Sequence, residues 1–210
     1  MSIHTKELRI ALLGALMALL AAIPAQAVDF TNVAFVQTAM GTTSIPVGHA
    51  QFCQTHADEC RPHANPVAAV TLTGALWQQL QAVNSHYNQA IVPVTDRDLY
   101  QVEEFWTYPN GYGDCEDYVL AKRRELMNAG WPASTLLITV VKQANGEGHA
   151  VLLVRTDRGD LVLDNQIGTI DLWNATPYKY IKRQSQADAG QWVDMIDDRT
   201  TIVATTAAIR

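Results

Sequence analysis

The sequence has few basic residues, few cysteines and a single long hydrophobic run. Its 15 Lys and Arg residues are outnumbered by 21 Asp and Glu residues, which gives a formal net charge of -6. Because nucleic acids and anionic membrane surfaces are bound by basic surfaces, the composition argues against both as partners. The chain has 210 residues, 48% hydrophobic and 17% charged, a composition typical of one globular domain and not of a disordered chain.

The hydrophobic run lies at the start of the chain. Lys6 and Arg9 precede an apolar stretch over residues 10–22, and the sequence PAQA ends at Ala27. This order is typical of a secretory signal peptide, and a stretch of about 13 residues is shorter than the roughly 20 of a membrane span. We therefore predict a signal peptide over residues 1–27, a single domain over residues 28–210, no membrane span after the signal is removed, and a periplasmic or secreted location.

The three cysteines are informative in an exported protein. Cys53 and Cys60 lie close together in a polar segment, whereas Cys115 stands alone. In an oxidising compartment we expect a Cys53–Cys60 disulfide. The alternatives are two free thiols or a zinc site with His56 and His63, although the gap between the cysteines is wider than the usual spacing of zinc ligands. Cys115 is then an unpaired thiol that requires an explanation.

The periodicity of apolar residues predicts two helices. The first spans residues 71–90, and the second begins at Asp114 as N-cap and ends at Gly130. On the second helix Cys115 falls on the apolar face. Lys122 interrupts that face, and we expect its methylene stem to lie along the apolar surface while its ammonium reaches water.

The remaining sequence divides into loops and strands. Residues 28–66 have no sustained periodicity and are predicted to form extended segments and loops around the domain. Three runs rich in Val, Ile and Leu are separated by Asn-Gly and Arg-Gly turn signals, which predicts β-hairpins and an antiparallel sheet. These runs cover residues 135–142, 149–156 and 160–165.

The candidate chemistry starts from Cys115 at the first turn of the second helix. The helix dipole and the free amides there favour thiolate over thiol, and the same amides could stabilise an oxyanion. His149 begins a strand and could act as the base, and Asp164 on the next strand could orient its ring. A two-residue turn at residues 158–159 leaves these two side chains on one face but four residues apart, so a shifted turn, a bulge or strong twist must bring them together.

These residues lie in motifs that resemble the bacterial transglutaminase-like cysteine proteinases. The motifs are GDCEDY (113–118), GHAVL (148–152) and VLDN (162–165), joined by KRREL (122–126) and GWP (130–132). The resemblance implies a papain-like or transglutaminase-like α+β fold, with the nucleophile at the N-terminus of a helix packed against an antiparallel sheet. It also implies an exported cysteine peptidase whose best-known relatives cleave a surface adhesin and are sequestered by an inner-membrane regulatory protein.

The resemblance further implies a calcium site at Asp114, Glu116 and Asp117. Three carboxylates beside a thiolate raise its pKa, and a bound divalent cation reverses that local field. Calcium prefers such oxygen ligands. The alternative is that Asp114 caps the helix while Glu116 and Asp117 complement its dipole, without any metal.

The sequence favours hydrolysis of a peptide bond through Cys115, His149, Asp164 and a thioester. Two alternatives stay open: acyl transfer to an amine by the same residues, as in a transglutaminase or amidase, and a non-catalytic periplasmic binding module. The backbone N–H of Cys115 is one expected oxyanion donor. Asn110 and Trp106 are candidates for the second donor.

Overall fold

The structure, a computed structural model, describes residue 28 and residues 30–199. The predicted signal peptide, residues 1–27, lies outside the described residues, and the division into residues 1–27 and 28–210 stays a prediction. No helix in the described part of the chain is long and apolar enough to cross a membrane.

Within residues 30–199 the chain forms four α-helices and nine β-strands. The helices are Val47–Thr55 (α1), Gly74–Ala90 (α2), Asp96–Tyr100 (α3) and Cys115–Asn128 (α4). The strands are Gln37–Thr38 (β1), Val92–Pro93 (β2), Tyr112–Gly113 (β3), Leu136–Lys142 (β4), Gly148–Thr156 (β5), Gly159–Leu163 (β6), Asp171–Leu172 (β7), Lys179–Gln184 (β8) and Trp192–Ile196 (β9).

Seven of these strands form one sheet in the order β1-β9-β8-β4-β5-β6-β7. Every neighbouring pair in it is antiparallel, whereas β2 and β3 form a separate parallel pair. The three predicted strands correspond to β4, β5 and β6, and they follow one another as hairpins. The expectation of an antiparallel sheet is confirmed.

The two predicted helices form and pack together against the sheet. Helix α2 begins after Thr73, whose hydroxyl accepts the backbone N–H of Leu76 at 3.2 Å, as a helix N-cap does. Helix α4 contacts α2, β4 and β5, and it begins at Cys115 with Asp114 as N-cap. The α+β arrangement, with the cysteine at a helix N-terminus packed on an antiparallel sheet, is therefore confirmed.

The core lies on both faces of the sheet because alternate strand residues point to opposite sides. On the helix side, Val119 and Leu126 of α4 pack with Ala150, Leu152 and other apolar residues of the central strands. On the other side a second cluster covers the sheet with Val36, Leu137, Val141, Val151, Leu153, Val162, Trp173, Tyr178, Tyr180 and Met195. The central strands are therefore buried on both faces and hold the ends of β5 and β6 in place.

The N-terminal region differs from the expectation for residues 28–66, since it contains the helix α1. The helix buries Gly48, His49 and Phe52, too few positions to produce a clear helical period in the sequence. The predicted Cys53–Cys60 disulfide is confirmed, with Cα atoms 5.7 Å apart. It joins α1 to the following 3-10 helix, and because both thiols are consumed in it, the alternative zinc site is excluded.

The expectation for Lys122 is wrong. Its side chain is fully buried rather than reaching water, and its Nζ has no hydrogen-bond partner among the described residues. Burial lowers the pKa of Lys122 to about 7, an effect that the charge of Asp164 opposes. The reason is that α2 and the sheet enclose α4 so completely that a lysine side chain on its inner face cannot extend to the surface.

Candidate active site

Cys115 is the first residue of α4, and its Sγ lies between the helix and β5. The backbone N–H of Ala150 donates to Sγ at 3.3 Å, and the thiol donates to Oε2 of Glu116 at 3.2 Å. Cys115 is the free cysteine of the chain. The contact with Ala150 sets the sulfur beside the residue that follows His149.

His149 and Asp164 are in direct contact. The Nε2 atom of His149 lies 2.8 Å from Oδ1 of Asp164, and both side chains are buried. A carboxylate only accepts hydrogen bonds, so Nε2 carries the proton and Nδ1 is the accepting nitrogen of the ring. The side-chain amide of Gln166 approaches Nδ1 at 3.4 Å, which agrees with this tautomer.

The contact forms because the turn between β5 and β6 lies one residue earlier than the sequence suggested. Thr156 pairs with Gly159, so the turn consists of residues 157–158. If this register is extended by one residue pair, Asp164 lies opposite a residue of β5 that is two positions from His149, instead of four. A shifted turn was one of the ways in which the gap could close, and it is the one that the structure shows.

Gly159 explains where the turn ends. Its φ is 111°, and a Cβ at this position would lie 2.6 Å from the carbonyl oxygen of Ala34. Residues with a side chain rarely adopt such a positive φ. The glycine therefore fixes the end of the hairpin, and with it the register that brings His149 to Asp164.

Asp164 is held by several further hydrogen bonds. The backbone N–H of Gln166 donates to its Oδ1 at 3.0 Å, the hydroxyl of Tyr178 donates to its Oδ2, and Asn88 donates to its backbone oxygen at 2.8 Å. Burial alone would raise the pKa of this carboxyl, but the hydrogen bond and charge of His149, together with the Tyr178 and Gln166 donors, hold it below its usual range. The group therefore stays ionised at neutral pH.

The thiol is in a different electrostatic situation from the one that its helix position predicts. Burial and the neighbouring charge of Glu116 raise the pKa of Cys115 well above its usual value, against the lowering effect of the Ala150 N–H. The dipole of α4 is outweighed because desolvation and a like charge both disfavour the thiolate. A cation beside the carboxylates would remove this opposition.

A cluster of acids beside the thiol could hold such a cation. Oxygen atoms of Asp96, Asp114 and Glu116 lie within 4.8 Å of one another. Burial, followed by the charge of Asp114, raises the pKa of Glu116 to about 9, and burial raises that of Asp96. One oxygen of Asp96 and one of Asp114 are buried without a hydrogen-bond partner among the described residues. This donor set fits a hard divalent cation.

The cluster differs in one member from the set expected in the sequence. Asp96, from α3, was not expected, while Asp117 is not a member of this cluster: its Oδ1 accepts the backbone N–H of Thr107 at 3.0 Å. Burial raises the pKa of Asp117 to about 7. The acidic character of residues 93–109 was the available signal for Asp96, but only tertiary packing shows that this residue reaches Asp114, whose carboxylate accepts its N–H at 3.1 Å.

An open cleft of about 480 Å³ gives access to these residues, and Cys115, Glu116 and His149 lie in its wall. Of the two candidates for a second oxyanion donor, Trp106 lines the cleft, with its indole N–H donating to Glu104 at 3.1 Å. Asn110 is exposed and is not among the lining residues.

A family model of the bacterial transglutaminase-like cysteine proteinases, BTLCP, matches residues 39–200, well over half of the chain. The chain belongs to this family. Membership places it among the cysteine peptidases and agrees with the α+β fold. A cysteine proteinase needs a free thiol as nucleophile, and Cys115 is the free cysteine of this chain.

The chain is also similar to solved structures of LapG from Legionella pneumophila. The calcium-bound LapG structure is 29% identical with a TM-score of 0.47, and the similarity covers 51% of this chain and 64% of that chain. An EGTA-treated LapG structure is 26% identical with a TM-score of 0.48, covering 60% and 69%, and a third is 29% identical with a TM-score of 0.48, covering 56% and 68%. The chain thus spans less than two thirds of the calcium-bound LapG chain. No curated protein matches the sequence.

Proposed function

We propose that this cysteine proteinase hydrolyses a peptide bond in a protein substrate, with Cys115 as nucleophile, His149 as base and Asp164 orienting the histidine. The observation that carries the proposal is the buried His149–Asp164 pair, with Nε2 and Oδ1 2.8 Å apart. His149 lies in the wall of the cleft that also contains Cys115. A nucleophile, a base and a group that orients the base are the parts of a covalent acyl-transfer site.

The chemistry follows from the tautomer of His149. Its Nδ1 accepts the thiol proton of Cys115, and the thiolate attacks the substrate carbonyl carbon, so that the carbonyl electron pair moves onto oxygen. The backbone N–H of Cys115 stabilises this oxyanion. Collapse expels the amine, which takes the proton from His149 and leaves a thioester. Water, deprotonated by His149, then releases the carboxylate product and the thiol.

Calcium is the cation proposed for the acid cluster. Asp96, Asp114 and Glu116 would hold it, since their oxygens converge and burial raises the pKa of Glu116 and of Asp96. A bound cation supplies positive charge beside the thiol and favours the thiolate. Asp117 stays a predicted ligand that this cluster does not include.

The location and partners are proposals of the same kind. The disulfide between Cys53 and Cys60 supports an oxidising compartment, and together with the predicted signal peptide it favours the periplasm. A protein substrate, of which a surface adhesin is one candidate, and an inner-membrane regulatory protein follow from the resemblance in the motifs.

Cleavage of a proteome-derived peptide library tests the reaction. We expect new peptide termini with the purified protein in calcium and none with Cys115→Ala or His149→Ala. A matched control is His86→Ala, which removes an exposed histidine of α2. Cleavage that persists in Cys115→Ala would contradict the proposal.

The two alternatives give other products in the same experiment. With a primary amine added, acyl transfer leaves a new amide at the substrate carbonyl, whereas hydrolysis leaves a carboxylate. A binding module leaves the library intact, and its biological effect survives Cys115→Ala. Either result would replace peptide hydrolysis as the function of this cleft.

A further inference from the structure

The two oxygens of the Asp164 carboxylate have different partners. Oδ1 accepts His149 Nε2–H at 2.8 Å and the Gln166 backbone N–H at 3.0 Å. Oδ2 accepts the hydroxyl of Tyr178. Because a carboxylate can rotate about its last bond, a donor on Oδ2, together with the Gln166 N–H on Oδ1, fixes the direction in which Oδ1 faces the histidine.

Tyr178 touches the histidine as well as the aspartate. The centroids of the Tyr178 and His149 rings are 5.4 Å apart, with the ring planes at 53°. Both rings are buried, with 5% and 3% of their surface exposed. One side chain thus contacts the orienting group through its hydroxyl and the base through its ring.

The position of Tyr178 is fixed by residues that lie outside the β5–β6 hairpin. The residue directly precedes β8 and follows Pro177, which restricts the backbone there. The guanidinium of Arg199 donates to the Tyr178 carbonyl oxygen at 2.6 Å and is itself paired with Asp197 at 2.8 Å. Tyr178 therefore reaches Asp164 from a separately anchored segment.

The phenol is a permanent donor. Burial, together with the hydrogen bond to Asp164, raises the pKa of Tyr178 far above its usual value. It therefore stays protonated at neutral pH and well above it, so Asp164 Oδ2 keeps its donor there. A hydrogen bond to a charged acceptor is among the stronger kinds in proteins.

We propose that Tyr178 is a positioning residue of this site, acting through Asp164 to hold the imidazole of His149 in the orientation that the Nε2–Oδ1 hydrogen bond defines. The proposal rests on the proposed function of Cys115 and His149. Tyr178 does not touch the substrate or the reacting atoms. It keeps the base in the orientation that accepts the thiol proton.

Tyr178→Phe tests this by removing the hydroxyl while keeping the ring against His149. The matched control is Tyr180→Phe, because Tyr180 is also buried and its hydroxyl hydrogen-bonds Thr176 Oγ1 at 2.9 Å instead of Asp164. Both variants lose one buried phenol hydrogen bond. A merely structural role for Tyr178 would give the two variants the same properties.

Two measurements distinguish a change in the orientation of His149 from a change in the stability of the protein. At pH 7 in calcium, we expect Tyr178→Phe to lower the rate of iodoacetamide alkylation of Cys115 roughly ten-fold, the effect of one hydrogen bond to a charged group. We expect Tyr180→Phe to leave this rate within about two-fold. By proton NMR without calcium, we expect the His149 Nε2–H to exchange faster with water in Tyr178→Phe and at the original rate in Tyr180→Phe.

His149→Ala separates failure of this proposal from failure of the proposed function. If alkylation depends on His149 but Tyr178→Phe matches Tyr180→Phe in both readouts, the role of Tyr178 is refuted and the proposed function stands. If His149→Ala leaves alkylation unchanged, the proposed function fails and the role of Tyr178 fails with it. If Tyr178→Phe does not fold, proton NMR of the unmodified protein tests the proposal instead. A slowly exchanging Tyr178 hydroxyl proton close to the His149 Nε2–H supports it. A freely exchanging hydroxyl proton overturns it.

Discussion

Lys122→Met is expected to stabilise the protein, and more at low pH than at high pH. Lys122 is fully buried on α4 and its Nζ has no hydrogen-bond partner among the described residues. Its pKa falls from 10.5 to about 7 because burial disfavours the charged form. A shift of this size corresponds to about 5 kcal/mol of lost stability when the amine is charged.

The sign of the pH dependence follows from proton binding. Below about pH 7 the amine is protonated in the folded and the unfolded chain, and the folded state carries the full cost. Between about 7 and 10.5 the unfolded chain binds more protons, so the free energy of unfolding rises with pH. Above this window the amine is neutral in both states and the cost is gone. Methionine has a similar length and no charge, so it carries none of this dependence.

Urea unfolding of the protein and of Lys122→Met from about pH 6 to pH 9 measures this. We expect the stabilisation by Lys122→Met to shrink by about 3 kcal/mol across the range. The difference between the two proteins is the relevant quantity, because Glu116, with its pKa raised to about 9, gives the opposite slope in both. The matched control, Lys142→Met, removes an exposed lysine at the end of β4. Parallel curves for the protein and Lys122→Met would refute the reasoning.

Three further outcomes are expected. Replacing Cys53 and Cys60 by alanine should lower the free energy of unfolding by about 2.5 kcal/mol in urea titrations, the value for closing so short a loop; no loss would contradict a stabilising role for the disulfide. Gly159→Ala should cost at least about 2 kcal/mol in the same assay, because of its φ of 111° and the contact with Ala34; a neutral effect would show that the register does not depend on it. Asp96→Asn should weaken calcium binding by isothermal titration calorimetry at least about ten-fold, and unchanged affinity would exclude Asp96 as a ligand.

Elements defined by local sequence could be predicted. Helix α4 and the hairpins of β4, β5 and β6 follow from apolar periodicity and turn residues within short segments. Helix α1 could not, because it buries only Gly48, His49 and Phe52 and so has almost no apolar period. The burial of Lys122 could not be predicted from the sequence either, since it depends on how completely α2 and the sheet enclose one face of α4.

The candidate site also combines residues that the sequence could predict with residues that it could not. Cys115, His149 and Asp164 stood out by residue type and by the family motifs. The separation of His149 from Asp164, however, depended on a turn whose place is set by Gly159 and its contact with the Ala34 backbone. Asp96 and Tyr178 are supplied by segments distant in sequence from the residues they contact. The acidic character of residues 93–109 marks the region of Asp96 but not the residue itself, and no local motif marks Tyr178, so only the folded structure reveals their contacts.

The rate of iodoacetamide alkylation of Cys115 as a function of pH, measured in calcium, tests the central claim most directly. We predict an inflection well below ~8.5, the ordinary value for a thiol, in the unmodified protein and in the control His86→Ala. We predict that His149→Ala abolishes this inflection. An inflection near ~8.5 in all three proteins, or one that His149→Ala leaves in place, would contradict a Cys115–His149 nucleophile.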